Sequence, residues 1–366
     1  MRISFRSSLA LFVAAAAMAA CSSTAKSATT TTTAPAGATT TAAPAGNAGG
    51  KRACIILPDA DSGTRWESGD RPALNDALKA AGFEADIQNA QSDPAKFATI
   101  GDQQLTKGCG VMILVDHKGA ATAVAAKAKA AGVPVIAYDR PIKGGSDYYV
   151  SFDNTKVGEL EGQTVLDGLK AAGKDPKTAS VVFGYGDPAD GNAKMFKDGA
   201  VSILTAAGVK PAAEMTGTWD GEKAGTYFEQ AYTAVQGKVD GVLAPNDNNA
   251  ASIITILDKN GKTAAVSGQD ASTAGLQNIL LGKQTATVYK PFKVEAKVAS
   301  DLAIKLLKGE KPTADKKLDD GTPFFASTPI LVDATKVKDV VAAGDAKVAD
   351  LCTTAVAAAC TKYGIK

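Results

Sequence analysis

Histidine is nearly absent from this chain: its 366 residues include one, His117, together with two Trp and an aromatic fraction of only 6%. A single imidazole excludes His-based metal clusters, and any Ser–His–Asp site would have to use His117. Excess charge is also lacking, with 40 Lys+Arg against 38 Asp+Glu, a net of +2. That balance gives no general pull towards nucleic acid or anionic lipid. No C-x-x-C pair occurs, which argues against a zinc or redox site. No phosphate-binding glycine loop is completed either, because Gly184-Tyr185-Gly186 runs straight into Asp187-Pro188. Finally, the apolar run over 9–20 is shorter than the about 20 residues a membrane-spanning helix needs.

At roughly 150 residues per domain the chain should hold about two domains with a remainder, and the remainder lies at its start. Arg2 and Arg6 precede the apolar run, which ends in Met18-Ala19-Ala20-Cys21 followed by Ser22 and Ser23. A basic start, a short apolar core and small residues before a cut site describe an export signal. The last four residues resemble the lipobox of bacterial lipoproteins, with Met where Leu is usual, which makes Cys21 the expected lipidation site. We therefore expect a signal peptide over 1–21. Residues 22–50, almost wholly Ala, Thr, Ser, Pro and Gly, read as a disordered tether. The working protein from Lys51 onward would then sit at the outer face of the cytoplasmic membrane, held by lipid. Five Cys is an odd number, and Cys21 accounts for the odd one. Export makes Cys54, Cys109, Cys352 and Cys360 disulfide candidates. Cys54 opens the first strand and Cys109 precedes a strand placed beside it, while Cys352 and Cys360 would staple the tail. Buried free thiols are the alternative.

From Lys51 short β-branched runs alternate with Ala- and Lys-rich helical stretches, the pattern of a parallel α/β sheet. Strands are expected over 53–57, 85–88, 111–115, 135–137 and 148–151, then over 180–183, 213–216, 241–244, 264–267 and 286–289. Helices are expected over 71–81, 120–131, 192–207 and 250–260, with Gly82, Gly132, Gly208 and Gly261 suited to left-handed C-caps. The halves match: Val135-Ile136-Ala137-Tyr138-Asp139-Arg140 answers to Ala265-Val266-Ser267-Gly268-Gln269-Asp270. Two five-stranded, doubly wound lobes are the simplest account.

Polar residues fall just beyond the carboxyl ends of these strands, where open parallel sheets bind ligands. They include Arg65-Trp66, Asp139-Arg140, Asn192, Lys194, Trp219, Asn246, Gln269-Asp270 and Lys290. Asp and Asn oxygens accept from hydroxyls while Arg, Lys and Asn nitrogens donate to them. An Arg fork bridges two adjacent oxygens, and a Trp plane suits the apolar face of a pyranose. Mixed charges favour a neutral, polyhydroxylated ligand. Each residue also has a plainer reading: a Trp as core, an Asp as helix N-cap, Asp139–Arg140 as a structural ion pair.

At these motifs the chain resembles the type I periplasmic binding proteins, the sugar-binding subunits of bacterial ABC transporters, and is most similar to their D-xylose-binding branch. The carrying stretches are Arg65-Trp66, Ala137-Tyr138-Asp139-Arg140, Ser151-Phe152-Asp153-Asn154, Asn192-Ala193-Lys194, Ser267-Gly268-Gln269-Asp270 and Val288-Tyr289-Lys290-Pro291. The resemblance implies sugar contacts at Arg65, Asp139, Arg140, Asn192, Asn246, Asp270 and Lys290, stacking on Trp66 and Trp219, and supporting roles for Lys194 and Gln269. It further implies three chain crossings, near 152–154, 290–291 and 324–327. The first lobe would hold 51–152 plus 291–324 and the second 153–290 plus 325–350, leaving 351–366 as a tail. The implied function is that of an extracytoplasmic receptor, monomeric and without cofactor or metal. It would bind D-xylose or a related aldose and deliver it to an ABC permease. Gly191, Pro245 and the tail depart from the family pattern. The rival readings are a sugar-sensing receptor for signalling or chemotaxis and a carbohydrate-active enzyme using Asp139 and Asp270.

Overall fold

The computed structural model describes residues 50–59 and 65–366. The expected signal, Cys21 and nearly all of the tether lie outside the described residues. The described residues all lie within one compact unit.

In the first lobe β1 (Arg52–Leu57), β2 (Glu84–Asn89), β3 (Val111–Leu114), β4 (Val135–Tyr138) and β5 (Tyr148–Phe152) form a parallel sheet in the order β2-β1-β3-β4-β5. Val-Met-Ile-Leu in β3 and Val-Ile-Ala-Tyr in β4 are buried throughout. Such unbroken apolar runs suit strands covered on both faces. The cover comes from α1 (Arg71–Ala80), α2 (Pro94–Lys107) and α3 (Ala120–Ala130). A π-helical turn, Trp66–Asp70, leads into α1. The four glycines expected to end helices all have positive φ, from 62° to 85°.

The chain leaves this sheet after β5 and enters α4 (Asn154–Ala171), whose first turn is capped by the Asp153 carboxylate. The second lobe follows with β6 (Val181–Phe183), α5 (Gly191–Ala206), β7 (Pro211–Glu214), α6 (Gly221–Ala234), β8 (Gly241–Leu243), α7 (Asp247–Lys259), β9 (Ala265–Val266), α8 (Thr273–Leu280) and β10 (Thr287–Tyr289). A second crossing leads to α9 (Phe292–Leu307), where Ala296, Ala299, Leu302 and Ala303 pack into the first lobe's core. Then come β11 (Lys316–Lys317), β12 (Pro323–Ser327), β13 (Ile330–Val332), α10 (Val337–Ala342), α11 (Val348–Leu351) and α12 (Ala357–Lys362).

The main sheets of the two lobes are unequal, which corrects the expectation of five strands each, and β10 pairs antiparallel with β13 in a separate two-stranded sheet. The first has seven strands, because β12 joins β5 in parallel and β11 pairs antiparallel with β12. The second has four, in the order β7-β6-β8-β9, and β10 reaches it only through a bridge between Gln269 and Val288. The edge strand expected over 213–216 runs instead over Pro211–Glu214, because its Pro-Ala-Ala-Glu sequence is largely exposed and has no apolar run to mark it. Ser327 still pairs with Phe152, so the chain leaves the first sheet just after the 324–327 stretch near which the third crossing was expected. The tail is no separate segment: Leu351, Val356, Cys360 and Ile365 share a buried cluster with Leu276, Ile279 and Val332.

Cys54–Cys109 and Cys352–Cys360 are both disulfide-bonded, joining neighbouring strands of the first sheet and the two tail helices. Within the second lobe α4 and α5 meet backbone to backbone. A Cβ on Gly158 would lie 2.0 Å from the Phe196 carbonyl oxygen, and one on Gly199 would lie 2.2 Å from that of Thr155.

Candidate functional site

Two carboxylates stand at matched strand ends. Asp139 follows β4 with φ 62°, and Asp270 follows β9 with φ 92°. L-residues rarely adopt this left-handed backbone, and such strain persists only where surrounding bonds enforce it. For Asp139 they are visible. Its amide donates to Val150 O at 2.8 Å, and its carbonyl accepts from Tyr149 Oη at 2.9 Å, Ser151 Oγ at 3.0 Å and, from the second lobe, Asn192 Nδ2 at 2.7 Å. The Asp270 amide donates to Val288 O at 2.9 Å.

Arg65 is set beside Asp139 by a buried network. Its Nε and Nη2 form a fork on Asp70 at 2.8 Å each, Nη2 also donates to Glu295 Oε2 at 2.7 Å, and Nη1 donates to Asp139 Oδ2 at 3.0 Å. The Tyr138 hydroxyl donates to Asp70. Four of the five guanidinium N–H groups are thus engaged among the described residues, which fixes the group's plane and leaves one N–H on Nη1. Burial, with Asp139 and Asp70 nearby, pushes the Glu295 carboxyl up to about 8. Burial also works to raise Asp139, but Arg65, Lys290 and Arg140 outweigh it and hold that carboxyl below its ordinary value. The Trp66 ring on which a sugar was expected to stack carries two guanidinium groups, Arg65 at 4.6 Å and Arg140 at 5.6 Å, and is 3% exposed.

The second lobe supplies the facing wall. Asp190 caps α5, accepts from Trp219 Nε1 at 3.2 Å and faces Arg140 Nε at 3.6 Å across the cleft. Trp219 stands edge-on to Phe196, ring centres 6.1 Å apart. Lys290 pairs with Asp270 at 3.1 Å, and its ammonium lies 5.4 Å from the Phe196 ring centre. Burial tends to lower the Lys290 pKa, but Asp270 and Asp139 outweigh it and raise it. Asn246 caps α7 through the Asn249 amide, and Gln269 is 2% exposed with its Oε1 lacking a hydrogen-bond partner among the described residues. Burial raises the neighbouring Asp247 carboxyl to about 7.

Arg65, Trp66, Asp139, Arg140, Asn192, Trp219, Asn246, Gln269, Asp270 and Lys290 all line one cavity of about 460 Å³ between the lobes. Lys194 does not. It points outward from α5, pairs with Asp198 one turn on and is 79% exposed, away from the residues it was expected to support. An outer chamber of about 530 Å³ shares Arg140, Asp190 and Trp219 and also holds His117, whose Nδ1 lies 3.8 Å from Asp59. Burial lowers the His117 pKa.

Asp190, Asp70 and Glu295 were missed in the sequence. Asp190 was recoverable as the N-cap two residues before Asn192. Glu295, separated from Arg65 by 230 positions, left no local signal.

A model of the periplasmic binding protein domain matches residues 54–311. The D-xylose-binding periplasmic protein of Escherichia coli is 33% identical over 289 residues, covering 76% of this chain and 85% of its own. A multiple sugar-binding periplasmic receptor of Rhizobium radiobacter is 33% identical, covering 79% and 89% respectively. The crystal structure of a carbohydrate transporter solute-binding protein from Chloroflexus aurantiacus, in complex with D-glucose, superposes with a TM-score of 0.73. It is 29% identical and covers 81% of this chain and 97% of that one.

Proposed function

The chain belongs to the periplasmic binding protein family, with the type I fold, and on that premise we propose that it captures a monosaccharide, D-xylose or a related aldose, between its lobes. It is a binding protein, not an enzyme. The observation that carries the proposal is the pair Asp139 and Asp270, presented from opposite lobes, each already paired with a cation in one cavity. Carboxylates paired in this way accept from sugar hydroxyls, and Arg65 and Lys290 donate to the adjacent oxygens. The low Asp139 pKa is the opposite of what a general acid for glycoside cleavage requires.

Arg65, Asp139 and Arg140 would bind from the first lobe, and Asn192, Asn246, Asp270 and Lys290 from the second and the crossing, with Trp219 as the aromatic wall. Delivery to an ABC permease and anchoring through lipidated Cys21 complete the proposal. Among the described residues no helix is long and apolar enough to cross a membrane. Sensing rather than uptake is a second reading, supported by the Rhizobium relative's being named a receptor.

The test is calorimetric titration of residues 51–366 with pentoses and hexoses. Binding tighter than about millimolar, roughly −4 kcal/mol, is expected for at least one aldose, and weaker binding throughout sinks the proposal.

A further inference from the structure

The segment that follows β13 reaches the hinge. Asp345 lies between α10 and α11, beyond residue 311, where the family match ends. Its carboxylate accepts from the Tyr289 hydroxyl and pairs with Lys293 Nζ at 2.6 Å, and the same Nζ donates to Ala343 O at 3.2 Å. Tyr289 is the last residue of β10, in the second lobe; Lys293 is in the first turn of α9, which packs into the first. One carboxylate, with 6% side-chain exposure, therefore grips the chain on both sides of the second crossing. Between these two grips lie Lys290, which pairs with Asp270 in the cavity, and Phe292, packed so closely that a Cβ on Gly69 would lie 2.5 Å from its ring.

The module that delivers Asp345 is itself well anchored. Val337, Val340, Leu351 and Ile365 are buried with α8, Gln277 Nε2 donates to Asp350 O and Leu351 O at 3.0 and 3.1 Å, and Cys352–Cys360 closes the end. A rigid carboxylate holding both flanks of a crossing restricts the torsions about which the lobes turn.

We propose that Asp345 is a positioning residue for ligand capture. By holding Tyr289 and Lys293 together it favours the bridged arrangement of the lobes. The proposal rests on reading the cleft as the sugar site. Because the clamp acts on a conformational equilibrium rather than on the ligand, its loss taxes all ligands by the same factor.

The test uses Asp345→Asn, Lys293→Met and Lys293→Arg in the exported chain with both disulfides formed, titrated with D-xylose and D-glucose. The first two should each weaken every measurable affinity by about two- to fivefold, the worth of a partly exposed ion pair, with the ratio between sugars unchanged. Lys293→Arg should keep wild-type affinity. Spin labels, one on each lobe, should show a broader distance distribution without ligand in the first two variants. Wild-type affinity in both variants, a loss confined to one sugar, or an unchanged distance distribution overturns the clamp. If the wild-type chain takes up neither sugar, the aldose it does bind replaces them; if it binds no aldose, the cleft reading fails, and the ligand-free distances alone decide the clamp.

Discussion

At the residue scale the site is an arrangement of charges in which burial competes with opposite charges nearby. Asp270→Ala should weaken sugar binding by at least about tenfold, since a hydrogen bond to a charged group contributes roughly 1.5–3 kcal/mol. Circular dichroism should show the fold intact, because the Asp270 side chain is 44% exposed. Glu295 makes stability depend on pH. Its carboxyl titrates at about 8 in the fold against an ordinary 4.5, so the folded state holds a proton that the unfolded chain releases. The contribution is complete below the ordinary carboxylate range and is lost as pH rises through about 8. The urea midpoint should fall across that window, and Glu295→Gln should flatten the slope, leaving the part owed to Asp247 at about 7. An unchanged slope in that variant would place the titrating group elsewhere. The strand-end Asp139 and Asp270 were legible because carboxylates beyond the ends of parallel strands have little core to join. Glu295 and Asp70 were not, since burial of a carboxylate against an arginine depends on which helices pack together.

At the element scale the two lobes depend on contacts that admit no extra atom. The α4–α5 seam closes on Gly158, Gly162 and Gly199. Gly158→Ala should lower unfolding stability by about 1–3 kcal/mol, the cost of overpacking, as read from the denaturant midpoint. The staple between α11 and α12 closes a loop of 8 positions. Replacing Cys352 and Cys360 by Ser should cost about 2–3 kcal/mol on the loop-entropy argument, measured by thermal unfolding with Cys54–Cys109 kept. Apolar periodicity marked most elements, including β1, β3, β4 and β5. It failed at β7, whose exposed Pro-Ala-Ala-Glu bears no pattern, and at Lys194, whose helical position placed it on the outer face.

At the scale of the whole molecule the lobes meet at the mouth of the cleft. A Cβ on Gly191 would lie 2.7 Å from Cγ of Pro141 in the other lobe. Gly191→Ala should therefore wedge the lobes and weaken sugar binding several-fold for every ligand, about threefold or more, without touching the sugar. Calorimetry with two sugars checks this, and an unaltered affinity would mean that the lobes close elsewhere.

The sequence by itself determined the parallel α/β class, the internal repeat, the disulfide candidates and the strand ends from which ten side chains meet in one cavity. These follow from local rules: periodicity, turn residues and the position of polar groups after strands. Only the tertiary structure decided that the sheets hold seven and four strands, that Glu295 and Asp70 lock Arg65, and that the tail belongs to the second lobe with Asp345 at the hinge. Those facts rest on pairings between positions far apart in the chain, and the energy of such a pairing depends on the packing that brings the partners together.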